Sequence, residues 1–278
     1  MKLPNLSNSM GVARLRYIQS IHERAEFRNP DTLVRYFMSR LERWRYHCLG
    51  GKQIAKLQAD PFYYYLLART LYYDDVLLDA ISRGVRYIIN VGCGSDTRAY
   101  RFVQIMKRNG VKVLECDQLE SICAKQQRVK QLWLFDHVEY LPLDLNKEYS
   151  PEFEHRLAQT RTECLVLMEG VSTYVEESAF CRFLSSLSGK LPAGSRIAYD
   201  FKLRGADDNF GCVHRTQRLF RLPRASAEVA MFHAKRGHFL EHMELSSELS
   251  IRLLPSLTHF NRSTFSEDGL VRLAVKKT

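Results

Sequence analysis

The sequence predicts an α/β protein, a parallel sheet covered by helices on both faces and preceded by a helical N-terminal segment. Two observations predict it. From residue 85 onward, short apolar runs alternate with longer stretches of helical periodicity, the signature of βα units whose crossovers lay helices over the sheet. The first of those runs also passes directly into a glycine-x-glycine turn and then a helix, which is how ligand loops open in doubly wound sheets. A chain of 278 residues that is 45% hydrophobic and 26% charged can bury a large core without staples, which excludes a disordered, collagenous or disulfide-scaffold protein.

Residues 1–84 form the N-terminal helical lid segment of this reading, and 85–278 the core. Asp31 is placed to cap a helix carrying Leu33, Phe37, Leu41 and Trp44 at spacings of three and four. A second helix begins at Asp60-Pro61, where a first-turn proline loses no needed N–H. It carries Tyr65, Leu66, Arg69, Tyr72, Tyr73, Val76 and Leu77 and stops at Gly84. Strands are expected at 87–91, 111–116, 138–141, 165–168 and 196–201, with helices at about 97–109, 119–131, 150–160 and 176–189. Beyond 201 the rhythm breaks. A basic helix is expected at about 212–222, within an insertion of about 203–245 that would cover the substrate. Two strand-like runs, about 246–254 and 270–276, are expected to pair antiparallel at one sheet edge.

The 41 Lys and Arg against 31 Asp and Glu give a formal charge of +10, which suits anionic partners or serves solubility. No nucleic-acid-binding signature accompanies it, so nucleic acid is not expected. Seven cysteines without a C-x-x-C pair point to a reducing, cytoplasmic compartment without disulfides. No stretch approaches the ~20 apolar residues of a membrane span, and none near the start resembles a secretory signal. A soluble protein without membrane contact is expected.

Chemistry concentrates at the ends of three successive strands. In Ile88-Ile89-Asn90-Val91-Gly92-Cys93-Gly94-Ser95-Asp96-Thr97-Arg98, the glycines allow a sharp turn and the approach of a ligand to bare backbone. Thr97 stands where a dinucleotide fingerprint has its third glycine, which argues against a pyrophosphate. The next strand ends in Asp117, placed to accept from both ribose hydroxyls of an adenosine. The third leads to Asp144 and Leu145, an acceptor for the adenine amine and an apolar wall for the ring. Capping of the following helices explains either acid alone; an adenosyl ligand explains the glycine loop, the ribose acid and the adenine contact together.

The run Val91-Gly92-Cys93-Gly94-Ser95-Asp96-Thr97-Arg98-Ala99-Tyr100-Arg101 closely resembles the glycine-loop motif of the leucine carboxyl methyltransferase family. Met168-Glu169-Gly170-Val171-Ser172-Thr173-Tyr174-Val175-Glu176-Glu177 is similar to the family's motif after the fourth strand, and Ala68-Arg69-Thr70 with Asp74-Asp75 to its arginine-bearing helix. The resemblance covers about residues 30–200. Cys93 and Ser95 replace the usual small and apolar loop residues, and Ser172-Thr173 a more apolar pair. The resemblance implies a Rossmann-like class I methyltransferase with a mostly parallel, seven-stranded sheet and S-adenosylmethionine as cofactor, leaving S-adenosylhomocysteine as product. It further implies that Arg69 takes the methionyl carboxylate, with Arg35 as a second basic contact. Gly92 and Gly94 would face the methionyl portion, Asp117 the ribose, and Asp144 with Leu145 the adenine. Glu169 would take the methionyl ammonium or help order the loop around it, and Tyr174 would line the transfer pocket. Surface pairing with Asp74 or Asp75 is the other reading of Arg69.

An electrophilic sulfonium methyl needs only an aligned acceptor and a dry site. A carboxylate acceptor needs no base, whereas a phenol or alcohol does, and His214 or His233 is the candidate base there. Arg215, Arg218 and Arg221 recur at helical spacing and could face an acidic, small-molecule or carrier-bound acceptor, or simply water. His238 and His242 lack a convincing third ligand, so no metal is expected. The leading expectation is O-methylation of a carboxylate, or of a phenolic or alcoholic hydroxyl, on a small biosynthetic intermediate. A protein C-terminal carboxyl methyltransferase and a catalytically silent cofactor-binding protein are the alternatives, and a homodimer is left open.

Overall fold

The computed structural model describes residues 9–130, 136–147, 151–205, 219–259 and 265–276. Four helices come first: α1 (Ser9–His22), α2 (Arg40–His47), α3 (Gly51–Gln58) and α4 (Pro61–Ser82). The single helix expected across 31–44 is two elements. Asp31 does cap, accepting from the Val34 N–H at 3.1 Å, but it caps a 3-10 turn over Leu33–Phe37. The chain then restarts at Ser39, whose hydroxyl accepts from the Glu42 N–H while the Glu42 carboxylate accepts from the Ser39 N–H, at 3.1 and 3.0 Å. The break rotates Leu41 and Trp44 away from the core, and each is 64% exposed. Helix α4 begins as its sequence dictates, with Asp60 accepting from the Phe62 N–H at 2.9 Å and Pro61 in the first turn.

The remaining elements run β1 (Tyr87–Val91), α5 (Arg98–Arg101), α6 (Val103–Arg108), β2 (Lys112–Asp117), α7 (Leu119–Val129), β3 (Val138–Pro142), α8 (Pro151–Gln159) and β4 (Cys164–Met168). They continue with α9 (Glu177–Lys190), β5 (Arg196–Leu203), β6 (Arg221–Leu222), α10 (Ser226–Ala234), β7 (His238–Leu245), α11 (Ser246–Leu253) and β8 (Asp268–Val275). The sheet order is β3-β2-β1-β4-β5-β8-β7, with β6 pairing β5 at its side. The first five strands are parallel, and β8 and β7 add antiparallel. This is the mostly parallel sheet expected, with seven strands in its main order and the two-residue β6 as an eighth.

Neighbouring strand residues pack to opposite faces, as the period of two requires. Ile88, Leu165 and Leu167 join α1, α4 and α11 on one side, while Ile89, Val166 and Met168 join α8, α9 and α10 on the other. Burial on both faces is why these strands read as mostly apolar runs. Helix α4 is thus a layer of the same core as the sheet, and it delivers Arg69 to the strand ends.

Three expectations need correction. The helix expected over 97–109 is divided at Phe102 into α5 and α6. The run at 246–254 is helix α11, not a strand. Leu249 and Leu253 lie one helical turn apart on the packed face, Ile251 is exposed, and Glu248 accepts from the Leu245 N–H at 2.9 Å to start the helix. The true partner of β8 is β7, in the histidine-bearing stretch. Of the basic helix expected at 212–222, residues 212–218, with His214, Arg215 and Arg218, lie outside the described residues. Its end is extended, because Phe220 and Leu222 are buried on either side of a half-buried Arg221 in strand β6.

Candidate functional site

The sheet order reverses between β1 and β4, and the crevice at their carboxyl ends is where such sheets bind ligands. The loops leaving the two strands meet there. Gly92 has φ of 66°, and a Cβ on it would collide with Val171 Cγ2. Gly94, with φ of 35°, donates its N–H to Asp117 Oδ2 at 2.7 Å, tying the end of β2 to the glycine loop. The geometry thus brings together Gly92, Gly94 and Asp117.

Arg69 does not pair with Asp74 or Asp75. Its Nη1 donates to Asp200 Oδ2 at 2.9 Å, and its Nε lies 3.2 Å from Glu169 Oε1. Asp200, within β5, is held in turn by the Gly170 N–H at 2.6 Å and the Tyr73 hydroxyl at 3.1 Å. Glu169 Oε2 accepts from Arg98 Nη1 at 2.7 Å. The same Arg98 nitrogen reaches Asp96 Oδ2 at 2.9 Å, while Nε donates to Asp74 Oδ1 at 2.9 Å and Nη2 to the Thr70 carbonyl at 3.2 Å. Arg101 grips both oxygens of Asp74 at 2.5 Å. Among the described residues, three guanidinium groups therefore face four carboxylates in one buried network.

Electrostatics follow from that arrangement. Burial works against the Glu169 charge, but Arg98, Arg69 and Arg16 overcome it and hold the carboxyl below its ordinary value. Asp96 is likewise pushed far down, despite its burial, by Arg98 and Lys125 and by the Arg98 N–H. Both acids stay ionised, and both are correspondingly weak bases.

The other expected residues are more scattered. Leu145 is buried, and Asp144, partly exposed, accepts from the Asn146 N–H at 3.0 Å with Lys147 at 3.5 Å. Asn146 then bridges to the segment after β4 through the Tyr174 carbonyl at 3.1 Å and the Glu176 N–H at 2.9 Å. Tyr174, 39% exposed, ends the 3-10 turn Ser172–Tyr174 at the crevice rim. Arg35 is exposed and its guanidinium lies over the Tyr36 ring, 5.0 Å from its centre. The basic side chain that does reach the glycine loop from the N-terminal helices is Arg16, donating to the Ser95 carbonyl at 3.0 Å and to Asp31 at 2.8 Å. His214 lies outside the described residues, and His233 is buried against Tyr199 at 2.9 Å on the far side of β5.

Sequence reasoning passed over Arg16, Asp96, Arg98, Lys125 and Asp200. Three carried a signal. Asp96 and Arg98 stand inside the glycine-loop motif, and Asp200 is an acid interrupting an apolar strand. Nothing in the pattern separates Arg16 or Lys125 from a solvated cation.

The family model for leucine carboxyl methyltransferase matches residues 9–188, which include every member of the network except Asp200. The chain belongs to the leucine carboxyl methyltransferase family. Its cofactor is S-adenosylmethionine, and it is an S-adenosylmethionine-dependent methyltransferase. YktD of Bacillus subtilis, whose name carries an inferred activity of that kind, is 28% identical over 72% of this chain and 64% of its own length. A Streptomyces avermitilis relative named in the same way is 26% identical over 74% of this chain and 72% of its own. Among solved structures, the magnesium protoporphyrin IX methyltransferase of Synechocystis with bound S-adenosylhomocysteine overlays at a TM-score of 0.48 and 15% identity. It covers 88% of this chain and 99% of that one, and at this level carries no argument.

The residues of the methyltransferase's crevice fit the cofactor. S-adenosylmethionine carries a sulfonium and an ammonium against one carboxylate, a net positive charge that complements the one excess carboxylate of the network. Arg69 Nε is buried without a hydrogen bond, and Nη2 of the same fork makes none among the described residues. No helix among the described residues is long and apolar enough to cross a membrane.

Proposed function

We propose that this methyltransferase esterifies a carboxylate on a small acidic intermediate, the acceptor oxygen attacking in line with the carbon–sulfur bond of S-adenosylmethionine. When bound, the cofactor supplies the electrophilic methyl carbon; the protein supplies position, charge and a dry crevice. In this reading Asp117 accepts from the ribose hydroxyls, while Asp144 and Leu145 hold the adenine. Gly92 and Gly94 leave the backbone open to the methionyl chain. Glu169 takes the ammonium, and the Arg69 fork takes the methionyl carboxylate. Tyr174 walls the acceptor side, and Arg35 serves acceptors or solvent more readily than the cofactor, given its exposure.

The observation that carries the carboxylate reading is the state of the crevice acids. Arg98 and Arg69 hold Glu169 ionised with its proton affinity reduced, so it is poorly suited to deprotonate a phenol or alcohol. An acceptor that is already an anion at neutral pH needs no such help, and the net charge of +10 favours its approach. A carrier-bound acid would satisfy the same chemistry.

The test is transfer of labelled methyl from S-adenosylmethionine to candidate acids, followed by mild base. Release of label as methanol supports the ester. Base-stable label shows an ether and returns His214 as the candidate base, to be checked with His214→Ala. No transfer, with the cofactor still bound, shows a silent binding protein.

A further inference from the structure

A single peptide group of the glycine loop, the one joining Cys93 to Gly94, is held at both ends by charged side chains. Its carbonyl oxygen accepts from Lys125 Nζ at 3.2 Å as well as from the Asp96 N–H at 2.8 Å, and its N–H donates to Asp117 Oδ2 at 2.7 Å. Lys125 reaches this carbonyl from α7 through the interior and is 1% exposed. Its ammonium also donates to Glu115 Oε1 at 2.8 Å, and the other oxygen of Glu115 accepts from the Tyr100 hydroxyl at 2.8 Å. Tyr100 continues the chain to the Tyr140 hydroxyl at 2.5 Å.

Such a buried pair is a poor device for stability. Two ions lose their water, and an apolar pair of similar size would commonly serve as well. What an apolar pair cannot do is hold a carbonyl. Gly94 has no Cβ and sits at φ of 35°, so sterics do not fix the preceding peptide, and its orientation rests on the bonds that Lys125 and the Asp96 N–H make to its carbonyl. Turned over, that peptide would withdraw its N–H from Asp117 and aim its oxygen at the carboxylate instead.

We infer that Lys125 is a positioning residue for cofactor binding, locking the Cys93–Gly94 peptide so that its N–H orients the Asp117 carboxylate toward the ribose. Lys125 touches neither cofactor nor acceptor and acts through Asp117, with Glu115 keeping its ammonium charged and in place. This rests on the assignment of Asp117 to the ribose.

The test uses the full chain and S-adenosylhomocysteine as probe, with affinity read by calorimetry and thermal midpoints measured without ligand. Lys125→Met should lower the midpoint and weaken binding by about tenfold or more. Adding Glu115→Gln removes the stranded carboxylate, so the double variant should regain most of the midpoint while its affinity stays weak. In an Asp117→Ala background, Lys125→Met should cost little further affinity, because the two act in series. Unchanged affinity in Lys125→Met, recovery of affinity together with stability in the double variant, or fully additive losses with Asp117→Ala would each overturn the inference. If the unaltered protein ignores S-adenosylhomocysteine, the cofactor reading itself falls. If it binds and Asp117→Ala does not weaken it, only the ribose assignment and this inference fall.

Discussion

Arg98 Nη1 and Glu169 Oε2, 71 residues apart in the chain, are joined at 2.7 Å, and the same guanidinium also holds Asp74 and Asp96. One side chain thus ties the helix before the sheet, the loop after β1 and the loop after β4 into a single unit.

Replacing Arg98 should therefore cost far more than a surface arginine. Arg98→Met leaves three buried carboxylates short of a partner and is expected to destabilise the fold by about 3–5 kcal/mol, measured as a loss in urea unfolding free energy. Arg83→Met, removing an exposed pair with Asp79, should change it by less than about 1 kcal/mol.

The glycine loop offers a matched pair of substitutions. Gly92→Ala meets both a positive φ and the Val171 side chain, and should abolish measurable S-adenosylhomocysteine binding. Gly84→Ala, where a Cβ meets nothing within 4 Å, carries only the backbone strain of its positive φ. Its binding should match the unaltered protein, and equal losses at both sites would remove the role given to Gly92.

Asp117→Ala should weaken S-adenosylhomocysteine by about tenfold or more while leaving the cooperative unfolding transition in place. Isothermal calorimetry checks the first and circular dichroism the second.

Acid stability should respond to a region remote from the crevice. Burial, with His238 and Arg236 nearby, lowers His233 to about 3, and burial with Arg236 and Lys276 lowers His238 to about 4. Both are neutral when folded, so the unfolded chain binds more protons once the pH drops below the ordinary histidine value of 6.5. Stability from this source is complete above that value and declines as the pH falls toward 4. His238, whose two ring nitrogens have no hydrogen bond among the described residues, can be replaced by a ring that never charges. His238→Phe should lose less unfolding free energy than the unaltered protein between about pH 7 and about pH 5. Parallel losses would count against the assignment.

The strands were the most legible part of the fold. Burial on both faces makes β1, β4 and β5 mostly apolar runs, and each lies within two residues of its expected span. The late segments misled because Leu249, Ile251 and Leu253 alternate as a strand does while Leu249 and Leu253 also fall one helical turn apart. Packing against α4 chose between those periods. In the crevice, the loop glycines and Asp117 were legible because turn geometry and strand ends act over a few residues. Asp200, Arg16 and Lys125 were not, since an acid or a cation has no local signature of the partner that will bury it.

By itself, the sequence determined the alternation of strands and helices, the glycine turn and the acids at the strand ends, because backbone sterics and side-chain periodicity operate over short stretches. Tertiary structure decided which charges meet. Arg69 turns to Asp200 rather than to the nearby Asp74, and Lys125 turns inward to Glu115, because a buried ion must find its counter-charge wherever the fold brings one within hydrogen-bonding reach.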